Sequence, residues 1–65
     1  MYFQRLRDLR EDANKAQKEI AVILDIDQRT YSNYETGKRE IPVHHLITLA
    51  DYYGVSIDYI VGRKA

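Results

Sequence analysis

Gln17-Lys18-Glu19-Ile20-Ala21-Val22-Ile23-Leu24-Asp25-Ile26-Asp27-Gln28-Arg29-Thr30-Tyr31-Ser32-Asn33-Tyr34-Glu35-Thr36-Gly37 decides the architecture of this 65-residue chain. Its first part, about Gln17 to Leu24, reads as a short helix in which Ile20, Ala21, Ile23 and Leu24 are apolar. Asp25-Ile26-Asp27 then breaks the pattern for three residues. Asp27 suits an N-cap, because its carboxylate accepts from the free amides of a new helix. That helix, about Gln28 to Thr36, has two unlike faces. Tyr31 and Tyr34 fall together at i, i+3, while Gln28, Arg29, Ser32, Asn33 and Thr36 crowd the other side. The buried face is therefore aromatic and the exposed face almost wholly hydrogen-bonding. Gly37-Lys38-Arg39-Glu40 ends it.

Working outward, Leu6, Leu9 and Ala13 recur at helical spacing from about Tyr2 to Ala13, with Arg5, Arg7, Asp8, Arg10, Glu11 and Asp12 as a charged outer face. Asn14 is a left-handed stop, since Asn tolerates positive φ better than most residues. Downstream, Pro42 suits the opening turn of a fourth helix running to about Tyr53. Its core stripe is Val43, Leu46, Ile47, Leu49, Ala50 and Tyr53. Ser56 caps a short fifth helix, Ile57 to Val61, and Asp58 in its first turn favours the helix dipole. Gly37, Gly54 and Gly62 each follow a helical stretch, as terminating glycines do. No segment alternates with period two, so the expected fold is all-α, five short helices in a single domain over residues 1–65, with the central unit at about 17–36.

Composition narrows the function classes. Ten basic and ten acidic side chains give a formal net charge of zero, and there is no cysteine or tryptophan. Without Cys there is no disulfide framework, thiolate zinc site or iron–sulfur cluster, and the chain is compatible with the cytosol. No run of 18 apolar residues provides a membrane span, and the N-terminus has no apolar stretch long enough for a signal peptide. Hydrophobic residues at 45% exclude a disordered segment, with six of the seven aromatics tyrosine.

Two short helices joined by a three-residue turn, the second with a polar exposed face, describe a helix-turn-helix. Such a second helix buries one side against its own domain and offers donors and acceptors from the other. Gln pairs with adenine, Arg with guanine, and Asn or Ser with several base edges. By itself the pattern is not decisive, because any amphipathic surface helix has a polar side.

Gln17-Lys18-Glu19-Ile20-Ala21, then Tyr31-Ser32-Asn33-Tyr34-Glu35-Thr36-Gly37-Lys38-Arg39, then Leu49-Ala50-Asp51-Tyr52-Tyr53-Gly54-Val55-Ser56 resemble the Cro and phage-repressor type (XRE) helix-turn-helix family. The wording is nearest the small regulators of Firmicutes and their phages, including the ending Asp58-Tyr59-Ile60-Val61-Gly62-Arg63. The resemblance spans about Leu6 to Arg63. It implies a compact five-helix, lambda-repressor-like domain and a sequence-specific regulator of transcription, a repressor, bound to double-stranded DNA. It also implies a homodimer on two half-sites, a cytoplasmic location in a bacterium or a phage-encoded origin, no cofactor, and no catalysis. Residue by residue, Gln28, Arg29, Ser32 and Asn33 stand where the family reads bases, and Thr30 where it often touches backbone. Gln17 resembles the glutamine that meets a phosphate and braces the recognition helix, and Ala21 the small residue that lets the two helices approach. Lys38 and Arg39 stand in the loop that approaches phosphates. Ile57, Tyr59 and Ile60 are the apolar candidates for a dimer surface. Two departures stand out. Asp25 occupies the turn position where the family usually has glycine, and Ala16 stands where Ser or Thr normally caps the second helix, a loss of about 1 kcal/mol.

Each of these residues also has a plainer reading as a solvated helix face, loop charge or helix-opening residue. His44 and His45 invite a metal, but adjacent helix positions point apart and no partner lies at ligand spacing. Tyr53 reads as core and Tyr52 as its half-exposed neighbour rather than a stacking platform. No nucleophile–base–orienter set and no phosphate-cradling glycine loop appears, so an enzyme is not expected. Two rival functions remain: a helix-turn-helix module whose partner is a protein, such as an antitoxin or a regulator-sequestering factor, and an RNA binder, which lacks the aromatic platform of such modules. Neutral charge tempers the DNA reading. Residues 1–20 carry five basic and four acidic groups, 21–40 three and four, and 41–65 two and two, so no segment is basic.

Overall fold

Five α-helices make up the regular structure of residues 3–62, the part of the chain described by the computed structural model. They are α1 (Gln4–Asp12), α2 (Gln17–Leu24), α3 (Gln28–Thr36), α4 (Val43–Tyr53) and α5 (Ile57–Val61), with no strand among the described residues. The bounds of α2, α3 and α5 are those read from the sequence. α1 begins at Gln4, and Tyr2 lies outside the described residues. α4 begins one residue late because Pro42 is its N-cap in extended geometry (φ −64°, ψ 152°) and not its first helical residue.

The helix ends follow the chemistry of their residues. Asn14 ends the turn after α1 at φ 57°, and Asp25 caps α2 in the left-handed region at φ 58°. Asp27 Oδ1 accepts from the Thr30 amide at 2.7 Å, and Ser56 Oγ accepts from the Tyr59 amide at 3.0 Å. Each of these contacts satisfies a first-turn donor that the helix itself leaves free. Ala16 opens α2 in cap geometry (φ −81°, ψ 156°) with no side chain to close it. Gly37 ends α3 at φ 80°, where a Cβ is disfavoured.

α2 packs chiefly on α3, α1 on α3 and α5, and α4 on α5. Leu6, Ile20, Tyr31, Leu49 and Ile60 are fully buried at the centre, joined by Phe3, Ala21, Leu24, Tyr34, Ile41, Leu46 and Ala50. Phe3 and Ile41 complete the core from outside the helices. The apolar stripes were narrower than the pattern suggested. Ala13 is exposed at the end of α1, and Val43, Ile47 and Ile23 stand 66%, 47% and 36% exposed. At only five helices, an eleven-residue α4 has one neighbouring face to cover, so the Leu46–Leu49–Ala50 edge is buried and the Val43–Ile47 edge faces solvent. No helix among the described residues is long and apolar enough to cross a membrane.

Candidate nucleic-acid interface

A single buried carboxylate fixes the position of α3 against α1 and α2. Glu35, in the last turn of α3, is only 4% exposed. Arg10 of α1 donates to it twice, from Nε to Oε2 at 2.6 Å and from a terminal nitrogen to Oε1 at 3.2 Å. Gln17, the first residue of α2, donates from Nε2 to Oε1 at 3.0 Å. The remaining terminal nitrogen of Arg10 donates to the Lys15 carbonyl at 2.9 Å, securing the connection between α1 and α2. Burial by itself would raise the Glu35 pKa, but the hydrogen bond from Arg10, the nearby Tyr31 phenol and Gln17 more than offset it, and the carboxyl is held below its ordinary value. The bond to Glu35, against the effect of burial, likewise raises Arg10. Burial and the same carboxylate push the Tyr31 phenol up, and its hydroxyl makes no hydrogen bond within geometric limits. Burial, then Tyr52 and Glu35, push the Tyr53 phenol up to about 12.

With its inner face fixed in this way, α3 turns the other face outward. Gln28 and Arg29 are exposed in its first turn, and Ser32 and Asn33 are half-buried one turn later. The side chains of these four make no hydrogen bond or ion pair among the described residues, so their donors and acceptors are available. Thr30 is half-buried beside them, and its amide is taken by Asp27. At the far end the Arg39 amide donates to the Asn33 carbonyl at 3.2 Å, folding the loop back on the helix, while the side chains of Lys38 and Arg39 are exposed. The Thr36 hydroxyl is spent on the Ser32 carbonyl at 3.1 Å. The expected reading residues thus lie along one side of one helix, and Lys38 and Arg39 follow its C-terminal end.

Several positions differ from expectation. Gln17 braces α3 through Glu35, at the C-terminal end of the helix, leaving its second amide hydrogen for any outer partner. Ile60 is 1% exposed and belongs to the core, so its side chain does not reach a second subunit. Of the three apolar residues named for a dimer surface, Ile57 is half-buried and Tyr59 is 46% exposed. The Tyr59 ring is partly covered by the Arg5 guanidinium 4.3 Å from its centroid, and Arg5 also donates to the Tyr59 carbonyl at 2.8 Å, tying α1 to α5. The His44 and His45 rings do not diverge but lie 4.1 Å apart, with His45 also 6.1 Å from Tyr34. Burial, then the neighbouring His44, lowers the pKa of His45. Tyr52 is 42% exposed and meets half-buried Tyr53 edge to face at 5.1 Å.

Sequence reasoning missed Arg10 and Glu35. Arg10 reads as part of the charged outer face of α1 and Glu35 is assigned to neither face of α3, yet Glu35 stands four residues after Tyr31 and one after Tyr34, and so falls on the buried side of α3. That placement was the available signal. Arg10, 25 residues away, had none.

Residues 6–60 match the helix-turn-helix family model. Over 62 residues, 95% of this chain and 55% of the relative, the sequence is 39% identical to the uncharacterized HTH-type transcriptional regulator YobD of Bacillus subtilis. It is similar at 34% identity over 62 residues, again 95% of this chain and 55% of the other, to the cryptic phage CTXphi transcriptional repressor RstR of Vibrio cholerae. A crystal structure of a transcriptional regulator from Listeria innocua resembles the whole fold at a TM-score of 0.89 and 29% identity, covering 64% of that chain. The chain belongs to the Cro and phage-repressor type helix-turn-helix family. It spans about half the length of the curated relatives it matches, 55% of each of those two.

Proposed function

We propose that this chain is the DNA-reading module of a bacterial or phage-encoded transcriptional regulator, acting as a repressor in the cytoplasm. α3 enters the major groove of double-stranded DNA with Gln28 and Arg29 leading and Ser32 and Asn33 one turn behind, all at base edges. Gln17, Thr30, Lys38 and Arg39 meet phosphates and fix the register of the helix on the duplex. One observation carries the reading. The outer face of α3 presents four polar side chains with no hydrogen-bond or ion-pair partner among the described residues, on a helix whose inner face and both ends are tied down. A helix backbone held in that way sets the four side chains in one register, so that only their own rotamers remain to be ordered on meeting a base. The names of the relatives, regulators and a phage repressor, support it. Catalysis forms no part of the reading.

Two copies bind two half-sites about 34 Å apart, because a single module makes too few contacts to hold an operator. Ile57 and Tyr59 are the apolar side chains near α5 available to a second copy. Selection of bound sequences from a random duplex pool tests the reading. It should return a two-fold related sequence, and Arg29→Ala should weaken binding by about 1–3 kcal/mol and relax one base position in each half-site. The salt dependence on the selected duplex should follow a slope near −0.9 per phosphate contact. Recovery of no preferred sequence, with weak binding insensitive to salt and a stable complex with another protein, would instead support the protein-interaction module.

A further inference from the structure

Arg7 and Arg10 stand one turn apart on the same side of α1, and they are used very differently. All three nitrogens of Arg10 are engaged, two by Glu35 and one by the Lys15 carbonyl. Arg7 bonds the Glu11 carboxylate through Nε alone, at 3.2 Å, and the two side chains are 56% and 53% exposed. Together with Gln17, Glu35 and Thr36, the two arginines line one open cleft of about 560 Å³. Three helices meet there: α1 supplies the arginines, the start of α2 supplies Gln17, and the last turn of α3 supplies Glu35 and Thr36. Arg10 and Glu35 cancel one another, so the lining carries the net positive charge of Arg7. Its neutral members are Gln17, with one amide hydrogen uncommitted, and Thr36, exposed one turn after Ser32 on the outer side of α3.

Building on the reading of α3 as a major-groove helix, we propose that Arg7 is a further phosphate-contacting residue, and that the cleft it lines with Gln17 and Thr36 seats one phosphate of the DNA backbone. The position of the cleft supports this. It borders the outer side of α3 at Thr36, so a duplex read by that helix passes its mouth. Its chemistry suits the ligand as well. A guanidinium presents paired N–H donors that match two phosphate oxygens, and Gln17 adds a neutral donor from the facing helix. The only bond Arg7 must give up is an exposed i, i+4 ion pair, which contributes little to the fold. Glu11 is then a competitor, holding Arg7 in the absence of DNA and opposing the phosphate with its own charge. Such a contact carries no base information and sets the register of the module on the duplex.

The test titrates wild type, Arg7→Gln and Glu11→Gln against the selected operator and a scrambled duplex over a range of salt. Circular dichroism and thermal unfolding confirm that each variant is folded. Arg7→Gln should weaken binding to both duplexes several-fold, lower the salt slope by about 0.9, and leave the selected sequence unchanged. Glu11→Gln should tighten binding to both several-fold. Operators carrying one methylphosphonate linkage at a time locate the phosphate. At one position of each half-site the neutral linkage should weaken wild type several-fold and Arg7→Gln clearly less. Three results would overturn the assignment and leave the DNA reading intact: a folded Arg7→Gln with unchanged affinity and slope, a loss with no linkage at which it differs from wild type, or a Glu11→Gln that binds no more tightly than wild type. A wild type that selects no sequence at all overturns the DNA reading and this inference with it.

Discussion

Removing the Glu35 carboxylate should do more damage than removing any exposed charge of this chain, and removing Arg10 along with it should undo most of that damage. In Glu35→Leu, the Arg10 side chain, only 13% exposed, loses both of its bonds to the carboxylate and stays beside hydrocarbon. Breaking a buried pair from one side costs about 3–5 kcal/mol, and the slight exposure of Arg10 places this case near the lower end, at about 3. Arg10→Met leaves Glu35 as a nearly closed-off anion with only Gln17 as donor and forfeits the bond to the Lys15 carbonyl, for a loss of the same order plus about 1 kcal/mol. A domain of this size holds only about 3–5 kcal/mol in total, so each single variant should be near its unfolding midpoint at room temperature. The double variant replaces the pair with two apolar side chains of similar bulk and should recover to within about 2 kcal/mol of wild type. Urea titrations at low temperature, followed by far-ultraviolet circular dichroism with a stabilising osmolyte common to all four proteins, give the cycle. A coupling energy of about 5 kcal/mol is expected, the two single losses together less that of the double. Single effects that simply add, to within about 0.5 kcal/mol, would refute the claim that this ion pair is what holds α3 to α1.

Three further outcomes follow from the same geometry. Asp25→Gly should raise stability by about 0.5–1 kcal/mol, because Asp at φ 58° adopts a conformation that glycine occupies without strain, and an unchanged urea midpoint would show that the turn is unstrained. Ala16→Ser should add about 1 kcal/mol by capping α2 in a backbone geometry already suited to it, read as a rise of roughly 4–8 °C in melting temperature. Since the Glu35 pKa is lower folded than unfolded, its contribution to stability is present above the unfolded value and is lost as pH falls through the folded one. Midpoints measured from pH 7 to pH 3 should therefore fall less steeply for Glu35→Gln than for wild type.

What was legible in the sequence, and what was not, follows the range of the interactions involved. Helix ends depend on one residue and the three or four after it, so Asn14, Asp27 and Ser56 could all be read locally, and the structure has each of them in that role, while the left-handed turn at Asp25 was signalled by the family's glycine at that position. The buried side of α3 was equally accessible through the spacing of Tyr31 and Tyr34. Width of burial was not. Val43 and Ile47 match the helical period of α4 as well as Leu46 and Leu49 do, and only the number of neighbouring helices decides which edge is covered. Ile60 reads as a dimer-surface candidate because it is apolar and lies on the fifth helix near the C-terminus, yet α1 and α4 close over α5 and bury it. The bond between Arg10 and Glu35 crosses 25 residues between side chains that look like ordinary surface charges. No local pattern announces such a pair.

The neutrality of the chain then takes on a different significance. A net charge of zero, with no basic segment, argues against general attraction to a polyanion. Part of that balance is structural, however. Glu35 and Arg10 neutralise one another inside the domain, Arg7 pairs with Glu11 along α1, and Lys15, in the connection before α2, pairs with Glu19. Arg29, Lys38 and Arg39 have no such partner within 4 Å among the described residues. Lys18 in α2 has none either, and these four are cations free to meet phosphates or guanine, with exposed Glu40 beside the Lys38–Arg39 loop. A chain arranged in this way depends on matching bases more than on total charge. Its affinity for arbitrary duplex should be poor, and occupancy of a site should come from base contacts and from the pairing of two copies. Titration of wild type against scrambled and selected duplexes at one salt concentration measures that ratio. Comparable binding to the two would show that backbone attraction dominates after all.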